Sequence, residues 1–95
     1  MSQPPKIIWK VSEPDGFDKT FSKLDSDIQK SYLKKIDNIL RSPDPRKFGV
    51  YERTRYGGAW VIRLNRSYRL SYMIDWKQRV IQIVRIGTHK EIGTG

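Results

Sequence analysis

From Val50 to Gly87 the chain reads as four β segments with almost nothing between them. VYERTR (Val50–Arg55), AWVIRLN (Ala59–Asn65), YRLSYMID (Tyr68–Asp75) and RVIQIVRIG (Arg79–Gly87) are short, alternate apolar with polar residues, and are rich in Val, Ile, Tyr and Trp. The gaps are Tyr56-Gly57-Gly58, Arg66-Ser67 and Trp76-Lys77-Gln78. A crossover between parallel strands needs about a dozen residues or more, so gaps this short predict antiparallel neighbours, with Val50–Arg55 at an edge. A sheet of this kind has one apolar face that something else must cover.

The cover is readable upstream. Residues 1–5 read as a loose tail, and KIIWKV (Lys6–Val11) predicts a first strand. Ser12-Glu13-Pro14-Asp15 carries helix-start signals: a capping serine, an early proline and acids at the positive end of the dipole. Phe17, Phe21 and Leu24 then recur at helical spacing, ending a short helix near Leu24. A second helix starts at Asp25 or Ser26, where Ser26-x-x-Gln29 fits a capping box. Ile28, Tyr32, Ile36, Ile39 and Leu40 share one of its faces, and Ser42-Pro43-Asp44-Pro45 stops it. The expected architecture is α+β: an N-terminal strand and a two-helix hairpin on one face of a small, mostly antiparallel four- to five-stranded sheet. Ninety-five residues suit a single domain over 6–95.

Side chains alternate across a strand, so parity sorts the sheet residues. One face takes Trp60, Ile62 and Leu64, then Tyr68, Leu70, Tyr72 and Ile74, then Val80, Gln82, Val84 and Ile86. The opposite face takes Val61, Arg63 and Asn65, then Arg69, Ser71 and Met73, then Ile81, Ile83 and Arg85. The first set is nearly all apolar and belongs against the helices. The second brings arginines from three consecutive strands to one side.

Charge is divided along the chain. The net charge is +9; residues 1–40 hold seven Lys against six acids, whereas 41–95 hold twelve bases against four acids and every one of the arginines. Guanidinium groups bind phosphate oxygens in a fork and stack on bases, so a basic half built on arginine points to a polyanion, nucleic acid before membrane. With no Cys, disulfides and thiolate metal sites are excluded, and the one His with scattered carboxylates disfavours a zinc site. No cofactor is expected. MSQPPK has no apolar stretch of the signal-peptide kind, and the expected location is the cytoplasm.

RIGTHKE (Arg85–Glu91) places that histidine directly after the last strand. Arg63, Arg69, Arg85 and His89 are the chemistry-bearing set. Cleavage of RNA by attack of a ribose 2′-oxygen on the adjacent phosphorus needs a base, an acid for the departing 5′-oxygen, and cations for the charge that builds on the phosphate. His89 is the side chain whose ordinary pKa suits proton transfer near neutrality. The arginines suit the phosphate, and Lys90 or Glu91 is placed to assist proton transfer or to orient the histidine.

The element order, the run WVIRLNRSYRLSYMID (Trp60–Asp75) and the ending VIQIVRIGTHKEI (Val80–Ile92) resemble the RelE/ParE superfamily of toxins from type II toxin–antitoxin systems, over Lys6 to Ile92. RelE-like members cut messenger RNA in the ribosomal A site, using basic residues on the concave sheet face. The resemblance implies a metal-independent endoribonuclease, with Arg63 and Arg69 as catalytic basic residues. It is similar to YafQ-type toxins in the R-x-G-T-H pattern, which implies catalytic roles for Arg85 and His89. Arg66, Arg53, Arg55 and Lys90 are the candidates for further RNA contacts. The implied partners are messenger RNA, the ribosome with its 16S rRNA, and a cognate antitoxin, an acidic and partly disordered segment that wraps the basic domain; no membrane is implied. Three departures stand out: Gly93 replaces the aromatic usual two residues after the Lys-Glu pair, Val61 replaces a second lysine, and only one histidine is present. They imply reduced or altered activity and keep two alternatives open, a ParE-like inhibitor of DNA gyrase and a catalytically weakened binding module.

Overall fold

A computed structural model describes residues 6–93. The expected tail at 1–5, and the last two residues of the Gly-Thr-Gly end, lie outside the described residues. The elements are β1 (Lys10–Ser12), α1 (Phe17–Ser22), α2 (Ser26–Leu40), a 3₁₀ turn (Pro45–Phe48), β2 (Val50–Thr54), β3 (Gly57–Arg63), β4 (Tyr68–Asp75), β5 (Val80–Thr88) and α3 (His89–Ile92). The strands form one sheet in the order β1-β5-β4-β3-β2. The β2–β5 meander is antiparallel throughout, and β1 alone runs parallel, against β5. This is the expected α+β arrangement.

α1 and α2 cover one face. Ile28, Tyr32, Ile36, Ile39 and Leu40 of α2 pack with Phe17 and Trp9 onto Ile62, Leu64, Leu70, Tyr72, Ile81, Ile83 and Ile86. Each large side chain buried there contributes about 1.5–3 kcal/mol relative to exposure, which makes this layer the main source of stability.

The strand expected at Lys6–Val11 is shorter and later, because Trp9 leaves the sheet. Its ring is 1% exposed and its Nε1–H donates to the Ser42 carbonyl at 2.7 Å, while the Ile8 and Trp9 amides both donate to the Leu40 carbonyl. The chain is thus tied to the end of α2 before it reaches β5. The helix start expected at Ser12–Asp15 is also later: Ser12 closes β1, and α1 begins after a left-handed Gly16 with no side-chain cap. On α2 the capping box does not form. Gln29 instead donates from Nε2 to the Phe21 carbonyl at 2.8 Å, fastening α2 to α1. The β2–β3 hairpin turns at Arg55-Tyr56, so Gly57 and Gly58 belong to β3.

A bulge corrects the parity reading of β5. Ser71 faces Arg85, but the next residue of β4, Tyr72, faces Ile83, leaving Val84 as the extra residue. An inserted residue switches every side chain before it to the other face. Ile81 and Ile83 therefore face the helices, and Gln82 is exposed. Ile86 and Arg85, beyond the bulge, keep the faces that parity assigned them.

Candidate active site

On the face away from the helices, Arg63 lies directly opposite Arg69, and Arg69 lies opposite Gly87. Facing residues in an antiparallel pair have Cα atoms about 5 Å apart, and like charges in that relation repel. Neither guanidinium has an acidic partner among the described residues; Arg69 donates only to the Arg66 carbonyl, at 3.5 Å. Two residues further along, Val61, Ser71 and Arg85 form the next row on the same face.

The histidine does follow β5 directly, and it opens a helical turn. Thr88 caps α3: its hydroxyl accepts from the Glu91 amide at 3.2 Å, and the Glu91 carboxylate accepts from the Thr88 amide at 2.9 Å. This turn folds back over the arginine face. A Cβ on Gly87 would stand 3.1 Å from the Glu91 Cβ, so the missing side chain is what admits α3 there. Ile92 is fully buried although it stands outside the helix-side core, and Val61 and Ser71 on this face are 5% and 1% exposed. The far end of α3 is tied to the β2–β3 hairpin tip, where the Arg55 amide donates to the Ile92 carbonyl at 2.9 Å and Arg55 Nη2 to the Lys90 carbonyl at 3.3 Å.

Gly93 ends α3 with φ 80°, and a Cβ there would come within 2.7 Å of the Arg55 Cβ. Both the left-handed backbone and the close approach call for glycine. The departure noted at this position thus has a local cause: α3 stops against the hairpin tip.

His89 opens α3 beside the β3–β4 turn, its amide donating to the Ser67 carbonyl at 3.3 Å, and its side chain is exposed. It stands at the Arg63/Arg69 end of the face. Arg85 is drawn the other way. Its Nη2 meets Glu91 Oε2 at 3.5 Å, its guanidinium carbon lies 5.4 Å from the centre of the Tyr56 ring, and its buried Nε has no hydrogen-bond partner. The Thr88 amide and hydroxyl, with Arg85 beside them, hold the Glu91 carboxyl below the usual carboxylate range. Both Glu91 oxygens are therefore engaged with Thr88 and Arg85, and orienting His89 does not fall to Glu91.

The remaining candidates divide by location. Arg66 is exposed on the β3–β4 turn near Arg69, whereas Arg55 and Lys90 sit where α3 meets the hairpin tip. Arg53 does not belong with them. It pairs with Gly58, two residues from the Tyr51–Trp60 pair, so strand alternation turns it to the helix-side face.

The family model for the ParE toxin of type II toxin–antitoxin systems, parDE, matches residues 15–93. The chain belongs to this family. No curated protein sequence is similar to it at a significant level. Among solved structures, this ParE-family toxin is similar to archaeal RelE in the RelE–RelB complex from Pyrococcus horikoshii, with a TM-score of 0.69, 21% identity, and coverage of 86% of this chain and 96% of that one. A mutant of the E. coli toxin RelE in the free state gives 0.68 and 21%, covering 90% and 87%. A YoeB/ParE toxin from Agrobacterium tumefaciens gives 0.61 and 16%, covering 84% and 98%. These likenesses place the fold of the ParE-family toxin among RelE and ParE structures.

Sequence reasoning missed one residue of the site. Tyr56 lies in a gap between strands, yet its half-exposed ring flanks the Arg85 guanidinium and offers an aromatic surface on the arginine face. No spacing rule links residue 56 to residue 85, because they meet only once the β2–β3 tip and β5 are both in place.

Proposed function

We propose that this toxin is a ribosome-dependent endoribonuclease that cuts messenger RNA by metal-independent transesterification, acting in the cytoplasm. The observation that carries the reading is the Arg63–Arg69 pair: two arginines directly opposite each other in the sheet with no acidic partner among the described residues, next to the β3–β4 turn on which the exposed His89 is seated. Such a pair suits a phosphate whose charge rises in the transition state. In the reaction the 2′-hydroxyl loses its proton to a base, its oxygen bonds to phosphorus, and the bond from phosphorus to the 5′-oxygen breaks. The leaving oxygen takes a proton, giving a 2′,3′-cyclic phosphate and a 5′-hydroxyl. His89 is assigned the proton transfer at the leaving oxygen, Arg63 and Arg69 the phosphate oxygens, and Arg85 a further cationic contact held in place by Glu91 and Tyr56. Arg66, Arg55 and Lys90 extend the contact to flanking RNA and to the ribosome. The cognate antitoxin is an acidic segment that folds as it covers these cations.

The family's ParE designation favours one second reading, inhibition of DNA gyrase, which needs no acid–base residue. Two assays on the purified protein separate them. Cleavage of messenger RNA only during translation, with supercoiling intact, supports the nuclease; blocked supercoiling with uncut messenger RNA supports the gyrase reading and sinks the nuclease.

A further inference from the structure

The β4–β5 turn lies at the far end of β4 from the arginine row, seven residues and roughly 23 Å from Arg69 along the strand. Trp76 and Trp9 meet there edge to face with ring centres 5.2 Å apart. A guanidinium covers each ring: Arg79 lies 5.5 Å from the Trp9 centre, and Arg46 lies 5.4 Å from that of Trp76. The result is an arginine–tryptophan ladder joining the β4–β5 turn, the segment before β1 and the 3₁₀ turn.

Two features exceed what a structural clamp requires. Trp9 is the anchored member, 1% exposed and hydrogen-bonded to Ser42, but Trp76 is 49% exposed and leaves much of an indole bare to solvent. Arg79 holds φ 59°, the positive-φ residue other than glycine among the described residues. Glycine would meet that backbone demand at lower cost, so the position keeps a guanidinium at the expense of strain. Around the ladder, Lys77 and Arg79 are exposed and have no ion-pair partner among the described residues. The nearby acids are engaged: Asp44 pairs with Arg46 at 2.8 Å, and Asp75 accepts from the Gln78 amide. Bare aromatic surface interleaved with free cations is the combination that binds single-stranded polynucleotide, bases stacking while phosphates meet the charges.

We infer that this turn is a second nucleic-acid contact, separate from the arginine row, where an unpaired base of single-stranded RNA stacks on Trp76 while Arg79 and Lys77 hold the flanking phosphates. The inference does not depend on the chain cleaving RNA, because it concerns binding at the opposite end of the sheet.

The test measures binding of a fluorescein-labelled single-stranded oligoribonucleotide of about ten residues. The parent protein is the Arg63→Glu/Arg69→Glu variant, in which the arginine row is silenced. The parent should still bind, with quenching of tryptophan fluorescence. Trp76→Ala should weaken that binding at least about fivefold and Trp76→Phe much less. Arg79→Gly, which relieves the backbone strain while removing the cation, should weaken binding and flatten its salt dependence by about one phosphate contact. The same sequence as DNA reports whether the 2′-hydroxyl contributes, and weaker DNA binding is the result expected for an RNA site. No binding by the parent, equal or tighter binding of DNA, or binding within about twofold of the parent by both Trp76→Ala and Arg79→Gly overturns the inference. If Trp76→Ala fails to fold, Trp76→Phe and Arg79→Gly decide it: unchanged binding by Arg79→Gly counts against the site.

Discussion

Arg63 and Arg69 face each other across β3 and β4, and among the described residues neither has an acidic partner. Folding alone gives no reason for that relation, since facing like charges cost a few tenths of a kcal/mol up to about 1 kcal/mol. Replacing either arginine by alanine should therefore leave the melting temperature unchanged or slightly raised, while the RNA-directed activity falls. A thermal melt that drops by several degrees would show that the pair serves packing instead.

Tyr56 and Arg85 give a second measurable relation. A ring beside a partly exposed guanidinium is worth about 0.5–1 kcal/mol. Tyr56→Ala should slow RNA cleavage about two- to fivefold, whereas Tyr56→Phe, which keeps the ring, should stay close to the wild type. Equal loss in both variants would assign the effect to the phenolic hydroxyl.

Gly93 should prove indispensable to the docking of α3. Gly93→Ala asks an L side chain to hold φ 80° and brings its Cβ against Arg55, a cost of about 1 kcal/mol or more. The Arg55 amide, which donates to Ile92, is the reporter: its hydrogen exchange should accelerate in the variant. Unchanged protection would contradict the clamp.

Acid should loosen the same turn. Glu91 titrates below its usual value in the folded chain because it accepts from Thr88 and meets Arg85. A lowered folded pKa means that the unfolded turn binds the proton more readily, so this stabilisation is complete above the ordinary glutamate range and is lost as pH falls through the lowered value. The Thr88 amide resonance, followed by NMR on acidification, should shift with Glu91 protonation, and Glu91→Gln, which has no proton to take up, should remove the transition. A Glu91 titration at the usual glutamate pKa would contradict it.

Much of this architecture is legible in the sequence because its signals are local and repeated. The alternation of β3 and β4, the gaps too short for a crossover and the apolar stripe Ile28–Tyr32–Ile36 each state one physical requirement, and each element forms where that requirement points. What escaped depends on contacts between distant residues. Val84 is an ordinary β former that reveals no bulge, so Ile81 and Ile83 change faces without a local sign. Arg53 looks like one more cation of the basic half until its pairing with Gly58 turns it toward the helix side. The turn α3 was written plainly as Thr88-x-x-Glu91, a capping box, but four residues carry too little apolar periodicity to announce a helix; its stability comes from Ile92 buried on a face expected to be open. Arg63, Arg69 and Arg85 share the face that strand alternation assigns them, and among the described residues Arg85 alone of the three meets an acid, Glu91, with the Tyr56 ring beside it.

The most direct measurement is the single-turnover rate of messenger RNA cleavage on programmed ribosomes for the wild type, Arg69→Ala and His89→Ala, each checked for native folding. Loss of a phosphate-binding cation or of the proton-transferring imidazole should slow the cut at least about tenfold in both variants. Cleavage at the wild-type rate in both would contradict the assignment of the arginine row and His89 as the site.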